Sequence, residues 1–225
     1  MRDPQALIST GELAALLGDP SLRLYDCTTS TVPPPEGSDV PYVAVSGRAG
    51  FEEAHIPGAD HLDIQGEFAA RDSKFLFMMA PVEQMSAAFG RHGIGPHSRV
   101  VLYNRGNMWM STRFWWMLRA LGCDAAVLDG GFDKWQAEGR PTESGAPRGY
   151  LRATFAAAPR PGMFVGRDDV LAALHQPGTV IVNALGDDLH QGRGPSRYGR
   201  PGRIPGSVQV SAATLIDPAT KGFTT

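Results

Sequence analysis

The feature that most constrains this chain is an internal repeat. A helix signal opens at Ser9-Thr10-Gly11-Glu12, where Ser9 and Glu12 have the spacing of a capping box, and Leu13, Leu16 and Leu17 form one apolar face. A short apolar strand over 22–26 follows, then a long Pro-rich loop, a helix-like stretch at 50–54, and His55-Ile56-Pro57-Gly58-Ala59. The same order returns near Phe164. Val170, Leu171 and Leu174 supply a helix face and 179–183 a strand, and a Gly/Arg-rich loop leads to Arg203-Ile204-Pro205-Gly206-Ser207. Leu13 pairs with Val170 and Asp26 with Asn183 at an offset of 157 residues, while Pro57 pairs with Pro205 at 148, so the second loop is nine residues shorter. Each Ile-Pro-Gly runs into an alternating stretch, 60–64 and 208–212, that reads as a strand.

The first copy continues well beyond this point. Residues 82–89 read as a helix closed by Gly93, and 99–103 as a buried strand. A helix over 110–121 has Met110, Phe114, Met117, Leu118 and Leu121 on one face; a strand at 125–128 and a helix at 133–138, ended by Gly139 and Pro141, follow. Strands alternating with helices predict an α/β fold, a parallel sheet with helices on both faces. The boundaries expected are a complete first domain over 1–140, a Pro/Gly/Ala/Arg-rich linker over 141–163 with an extended piece at 150–155, and the N-terminal part of a second domain over 164–225. In the first copy the strand-to-helix crossing at Asn104 lies 47 residues after Pro57; the counterpart would fall near position 252, about 27 residues past Thr225. The expectation is therefore a second copy that lacks its loop, in a chain cut from a longer parent.

Bulk properties exclude several classes. The net charge is −2 from 21 basic and 23 acidic residues, which gives no reason to expect a nucleic acid or an anionic membrane as partner. No apolar run approaches the roughly 20 residues of a membrane span and 1–7 lack a signal-peptide core, so the cytoplasm is the expected compartment. The two cysteines, Cys27 and Cys123, form neither a disulfide framework nor a zinc spacing. No metal-ligand cluster, nucleotide loop or flavin motif is present, and no cofactor is expected.

With the motifs in view, the chain resembles a tandem rhodanese-like sulfurtransferase of the thiosulfate and 3-mercaptopyruvate type. His55-Ile56-Pro57-Gly58-Ala59 resembles the family's early motif, and Arg203 to Ser207 its second occurrence. Leu128-Asp129-Gly130-Gly131-Phe132-Asp133-Lys134-Trp135 resembles the closing motif, and the Arg113 to Arg119 helix that of the non-catalytic first domain. The resemblance implies transfer of a sulfane sulfur from thiosulfate or 3-mercaptopyruvate to cyanide or a thiol through a cysteine persulfide. That cysteine opens a strand-to-helix loop, where converging amides and a helix N-terminus lower a thiol's pKa and hold an anion.

The first copy has Asn104 at this position, followed by Arg105. Asparagine cannot carry sulfur, so no catalytic residue is assigned and the first domain is expected to be inactive. Asn104 and Arg105 then read either as a polar wall facing the partner domain's site or as a turn residue and a solvated charge. The persulfide cysteine of the parent is expected beyond residue 225. Cys27 stands beside Asp26 with no helix after it and reads as structural or incidental; Cys123 ends a helix and reads as a packing or surface residue. Arg193, Arg197, Arg200 and Arg203 crowd the second copy's loop, and Arg200, Arg203 and Arg197 are the candidates for binding an anionic donor's carboxylate or sulfonate. Asn183 stands where the family pattern has an Asp, and the arginine commonly found shortly after it is absent. His55 reads as a structural hydrogen-bonding group, and Trp109, Trp115 and Trp116 as core or interface packing. The competing function is a non-catalytic rhodanese-like binding or regulatory module. A phosphatase on this fold would need a Cys with an Arg six residues on, where this chain has Asn104 and Met110.

Overall fold

The computed structural model describes residues 6–38, 40–73, 75–193 and 200–224. Its centre is a parallel sheet of five strands in the order β1 (Leu7–Ile8), β7 (Ala125–Leu128), β6 (Arg99–Tyr103), β2 (Leu22–Asp26) and β5 (Asp60–His61). β2 and β6 pair over their full length, from Leu22 opposite Arg99 to Asp26 opposite Tyr103. All five strands share one direction, so their carboxyl ends converge on one edge of the domain, where α/β sheets place ligands.

Alternation along the central strands sorts the core onto two faces. Val100 and Leu102 face Met85 and Phe89 of α3 (Val82–Arg91) and Phe114, Met117 and Leu118 of α4 (Trp109–Ala120). Val101 and Tyr103 face Leu13 of α1 (Thr10–Leu16), Phe51 of α2 (Arg48–Glu53) and Phe132 and Trp135 of α5 (Gly131–Ala137). Helices thus cover both faces, as the near-continuous apolar strands require. The capping box forms: the Glu12 N–H donates to Ser9 Oγ at 3.2 Å, and the Ser9 N–H donates to Glu12 Oε2 at 2.9 Å.

Several details differ from the sequence expectation. The Pro-rich loop holds an antiparallel hairpin, β3 (Thr29–Val32) against β4 (Val43–Ser46), whose Val32, Val43 and Val45 stay exposed. The stretch 60–64 pairs as a strand only over Asp60–His61, after which the Leu62 N–H still donates to Asp26 O at 2.9 Å. Trp109 is 56% exposed instead of packed.

Residues 150–160 are extended and strapped to the first unit. The Tyr150 hydroxyl accepts from the Leu24 N–H at 2.9 Å and donates to Gly58 O at 2.7 Å, so it satisfies the part of the β2 edge that β5 does not reach. Ala153 N–H donates to Gly90 O, Ala158 N–H to Leu121 O and Arg160 N–H to Ala120 O, at 2.9, 2.8 and 2.8 Å. Gly93 admits the strap: a Cβ there would lie 2.4 Å from the Tyr150 Cβ, and its φ of +82° is left-handed.

In the second unit α6 (Arg167–Ala173) precedes β8 (Val182–Asn183), a short α7 (Asp187–Gln191) and β9 (Val208–Gln209), which pairs parallel with β8. The expected strands 179–183 and 208–212 are thus each two residues long in the sheet. No residue of α6 is buried, and Leu171, Val182 and Ile204 are exposed. At its far end Phe223 lines one cavity with Trp115, Trp116 and Val127 of the first unit, and its N–H donates to Asp129 Oδ1 at 2.8 Å.

Candidate functional site

The loop between β6 and α4 sits at the carboxyl edge of the sheet, and the chain's own side chains fill its amides. Asn104 is buried, and its Oδ1 accepts from the Ser111 N–H in the first turn of α4. Asn107 Oδ1 accepts from the Trp109 N–H at 3.0 Å, and the Gly106 N–H donates to Asp133 Oδ2 at 3.1 Å. The Asn104 carbonyl accepts from the Phe132 N–H at 2.9 Å. That contact requires glycine at 131: a Cβ there would lie 2.5 Å from the Asn104 oxygen, and the residue's φ is +56°. The Gly130-Gly131 pair of the closing motif therefore brings α5 up against this loop.

Arg105 is held between opposite charge and an aromatic face. Its Nε lies 3.5 Å from Asp26 Oδ2, its Cζ 3.9 Å from the centre of the Phe132 ring, and its backbone N–H donates to Thr28 Oγ1 at 3.1 Å. Asp26 is fully buried; burial raises its carboxyl above the usual range, against the Thr28 hydrogen bonds and the Arg105 charge that lower it. Asn104 and Arg105 are thus neither a bare turn nor a solvated charge. They are the packed closure of a loop with no nucleophile.

Neither thiol is activated. Cys27 is fully buried, and burial, with the Asp26 charge, pushes its pKa far above the usual value. Burial, with Asp124, pushes Cys123 up to about 11. Its sulfur lies 3.6 Å from the Asp124 carbonyl at the end of α4, where the helix dipole adds no help to a thiolate. His55 meets its structural expectation: Nδ1 lies 2.8 Å from Phe51 O, and its ring stacks on Phe51 at 3.9 Å.

In the second unit a cleft of about 670 Å³ opens between α6, β8 and the loop through Ile204. Arg200 and Arg203 both line it, beside Asn183 and Ser207; Arg203 Nη1 also donates to His190 O at 3.2 Å. Arg197 lies outside the described residues. Arg167, which the sequence reading passed over, lines the same cleft. Arg193 pairs with Asp187 and, at 3.1 Å, with Asp188.

Sequence reasoning also missed an ionic network behind β5. His92 Nδ1 lies 3.2 Å from Asp60 Oδ2 and Nε2 2.7 Å from Glu67 Oε1, and Arg91 Nη2 lies 2.5 Å from Glu67 Oε2. Burial alone would lower the His92 pKa, but the two carboxylates raise it to about 9; the His92 hydrogen bond in turn holds Glu67 at about 2. Among the described residues no His, Cys, Asp or Glu cluster is placed to hold a metal ion, and no helix is long and apolar enough to cross a membrane.

The comparisons agree with this architecture. The chain is 32% identical over 176 residues to human 3-mercaptopyruvate sulfurtransferase, covering 76% of this chain and 59% of that one. It is 29% identical over 216 residues to the Escherichia coli K12 protein of the same name, covering 91% and 70%. It therefore spans only part of the length of these relatives. The crystal structure of SseA from Escherichia coli superimposes with a TM-score of 0.77 at 25% identity, over 97% of this chain and 79% of that one. Tum1 from Saccharomyces cerevisiae, at 18% identity and a TM-score of 0.80, shares the fold. The profile of the Rhodanese-like domain matches residues 9–138, from the Ser9 cap through β7 and α5, and the chain belongs to that family.

Proposed function

We propose that this chain serves sulfur transfer from a small anionic donor, thiosulfate or 3-mercaptopyruvate, to a thiophilic acceptor such as a thiol or cyanide. In this reading the first unit, 1–140, is a non-catalytic partner, 141–163 the connection, and 164–225 the donor-binding part of the second unit. The nucleophilic thiol comes from outside 1–225. Its thiolate attacks the donor's outer sulfur and an S–S bond forms to it as the donor's own bond to that sulfur breaks, the S–S bond of thiosulfate to release sulfite or the C–S bond of 3-mercaptopyruvate to release the pyruvate enolate, which takes up the proton of the former thiol; the acceptor then takes the outer sulfur and restores the thiolate. Arg200 and Arg203, with Arg197, would hold the donor's sulfonate or carboxylate, since guanidinium forks match both. A cytoplasmic location fits this chemistry.

The observation that carries the reading is negative at one site and positive at another. The β6-to-α4 loop has Asn104 at its opening and its amides are taken by the chain's own side chains, while the second unit's cleft presents arginines. The test is cyanide-dependent thiocyanate formation from thiosulfate. The 1–225 chain is expected to give none above the uncatalysed rate, and Cys27→Ser and Cys123→Ser to change nothing. A rate that Cys27→Ser or Cys123→Ser abolishes refutes the assignment of both thiols as structural.

A further inference from the structure

A cavity at the junction of the two units plays no part in the reading above. It measures about 360 Å³, and its walls come from Leu7 and Val127 at the edge of the sheet, Thr112, Trp115 and Trp116 of α4, and Phe223 of the second unit. α4 turns Phe114, Met117 and Leu118 into the core, which leaves positions 112, 115 and 116, at helical spacing, on a neighbouring face. Leu7 pairs with Val127, and β1 is only two residues long, so the flank of the sheet beside α4 stays open there.

The walls are held by contacts outside the cavity. Trp116 Nε1 donates to Met163 O at 2.9 Å, and the Trp115 and Trp116 ring centroids stand 6.0 Å apart with their planes at 47°. The Thr112 hydroxyl is spent within its own helix, 2.9 Å from Met108 O and from Trp109 O. Phe223 is fixed through its backbone. It bridges to Ile216, its N–H donates to Asp129 Oδ1 at 2.8 Å, and Gly222 before it lies so close that a Cβ would sit 3.0 Å from the same oxygen. Its ring therefore stands as a wall and does not fill the gap.

Size and charge select what fits. An apolar cavity of about 150 Å³ takes up benzene, so this one has room for roughly two fused rings. A cube of this volume is about 7 Å on edge, narrower than an α-helix at about 10 Å, so the space suits a small molecule and not a helix of a partner. No lining residue is charged. Just outside, the Arg119 guanidinium lies 5.3 Å from the Trp115 ring centre and the Asp129 carboxylate sits on the Phe223 amide, so a ligand of either charge meets like charge at one wall. The indole and phenyl rings offer faces and edges to a flat aromatic ligand.

We propose that this cavity binds a neutral, flat aromatic molecule of about two fused rings, touched by both units at once. Because the ligand contacts Phe223 and α4 together, its binding and the docking of Phe223 on the first unit strengthen each other. None of this depends on the sulfur-transfer reading.

Indole is the test ligand. In proton–nitrogen correlation spectra of the 1–225 chain it should shift the side-chain N–H resonances of Trp115 and Trp116 and the amides of Leu7, Val127 and Phe223 along one saturable curve. Thr112→Phe places a ring in the space and weakens this titration about tenfold or more, with its urea midpoint showing that the chain still folds. Phe223→Ala removes a wall whose backbone contact to Asp129 needs no side chain, and weakens the titration about fivefold or more. Sodium naphthalenesulfonate, equal in ring count but charged, binds about tenfold more weakly than indole. Shifts that fail to appear or to saturate, or titrations equal in the native and Thr112→Phe chains, overturn the site. Equal affinity in Phe223→Ala overturns the second unit's share in it, and equal affinity for the sulfonate overturns the neutral class.

Discussion

His92→Gln should flatten the dependence of stability on pH between neutrality and pH 9. The folded His92 sits at about 9 against an ordinary value of 6.5, so its contribution is complete below 6.5 and is lost as pH rises through 9. At 1.36 kcal/mol per pH unit that lift is at most about 3.4 kcal/mol. Glu67, moved from 4.5 to about 2, reflects the same contact and is counted once; its contribution is complete above 4.5 and is lost as pH falls through 2. Solvent reaches 22% of the His92 side chain and 42% of that of Arg91, so screening leaves about 1.5–2 kcal/mol. Urea unfolding followed by circular dichroism at pH 6 and pH 9 measures it. The native chain should lose this amount relative to His92→Gln between the two conditions. Parallel stability curves for the two proteins across that range would show that the network is not coupled to folding.

Tyr150→Phe should cost about 2 kcal/mol by urea unfolding, because it strips a donor–acceptor hydroxyl from the Leu24 N–H and the Gly58 carbonyl and supplies nothing in return. Gly131→Ala should cost about 2 kcal/mol or more and disturb the amide resonances of Asn104 and Ser111, since its Cβ meets the Asn104 oxygen; unchanged resonances there would contradict the packing described. Ser9→Ala should cost about 1 kcal/mol through loss of the capping box, read as a lower urea midpoint with an unchanged slope.

The repeat was legible because both of its anchors are local. Leu13 and Val170 sit at the same place in a helix pattern, each Ile-Pro-Gly marks the entry to an edge strand, and the registers of Asp26 with His61 and Asn183 with Gln209 agree with the offsets of 157 and 148. The α4 face was legible for the same reason, with Phe114, Met117 and Leu118 at helical spacing. Other features have no local signal. The strap is held largely by backbone groups, so Ala153 and Ala158 look like linker residues until their partners Gly90 and Leu121 are seen. His92 meets Asp60 and Glu67 across 32 and 25 residues, which no periodicity reports. At the candidate site, sequence identified Asn104 as a position without a nucleophile. It could not show that Asn104, Asn107 and Asp133 occupy the loop amides, because that depends on how α5 docks.

The strap also sets how freely the halves of this chain can explore one another. Its last backbone bond to the first unit is at Arg160, α6 begins at Arg167, and Trp116 Nε1 donates to Met163 O at 2.9 Å in between. The tether that remains, 161–166, reaches about 20 Å when fully stretched. On so short a leash each half meets the other at an effective concentration in the millimolar range. A touch as slight as the Phe223 amide on Asp129, too weak to join separate molecules, is then populated as a matter of course.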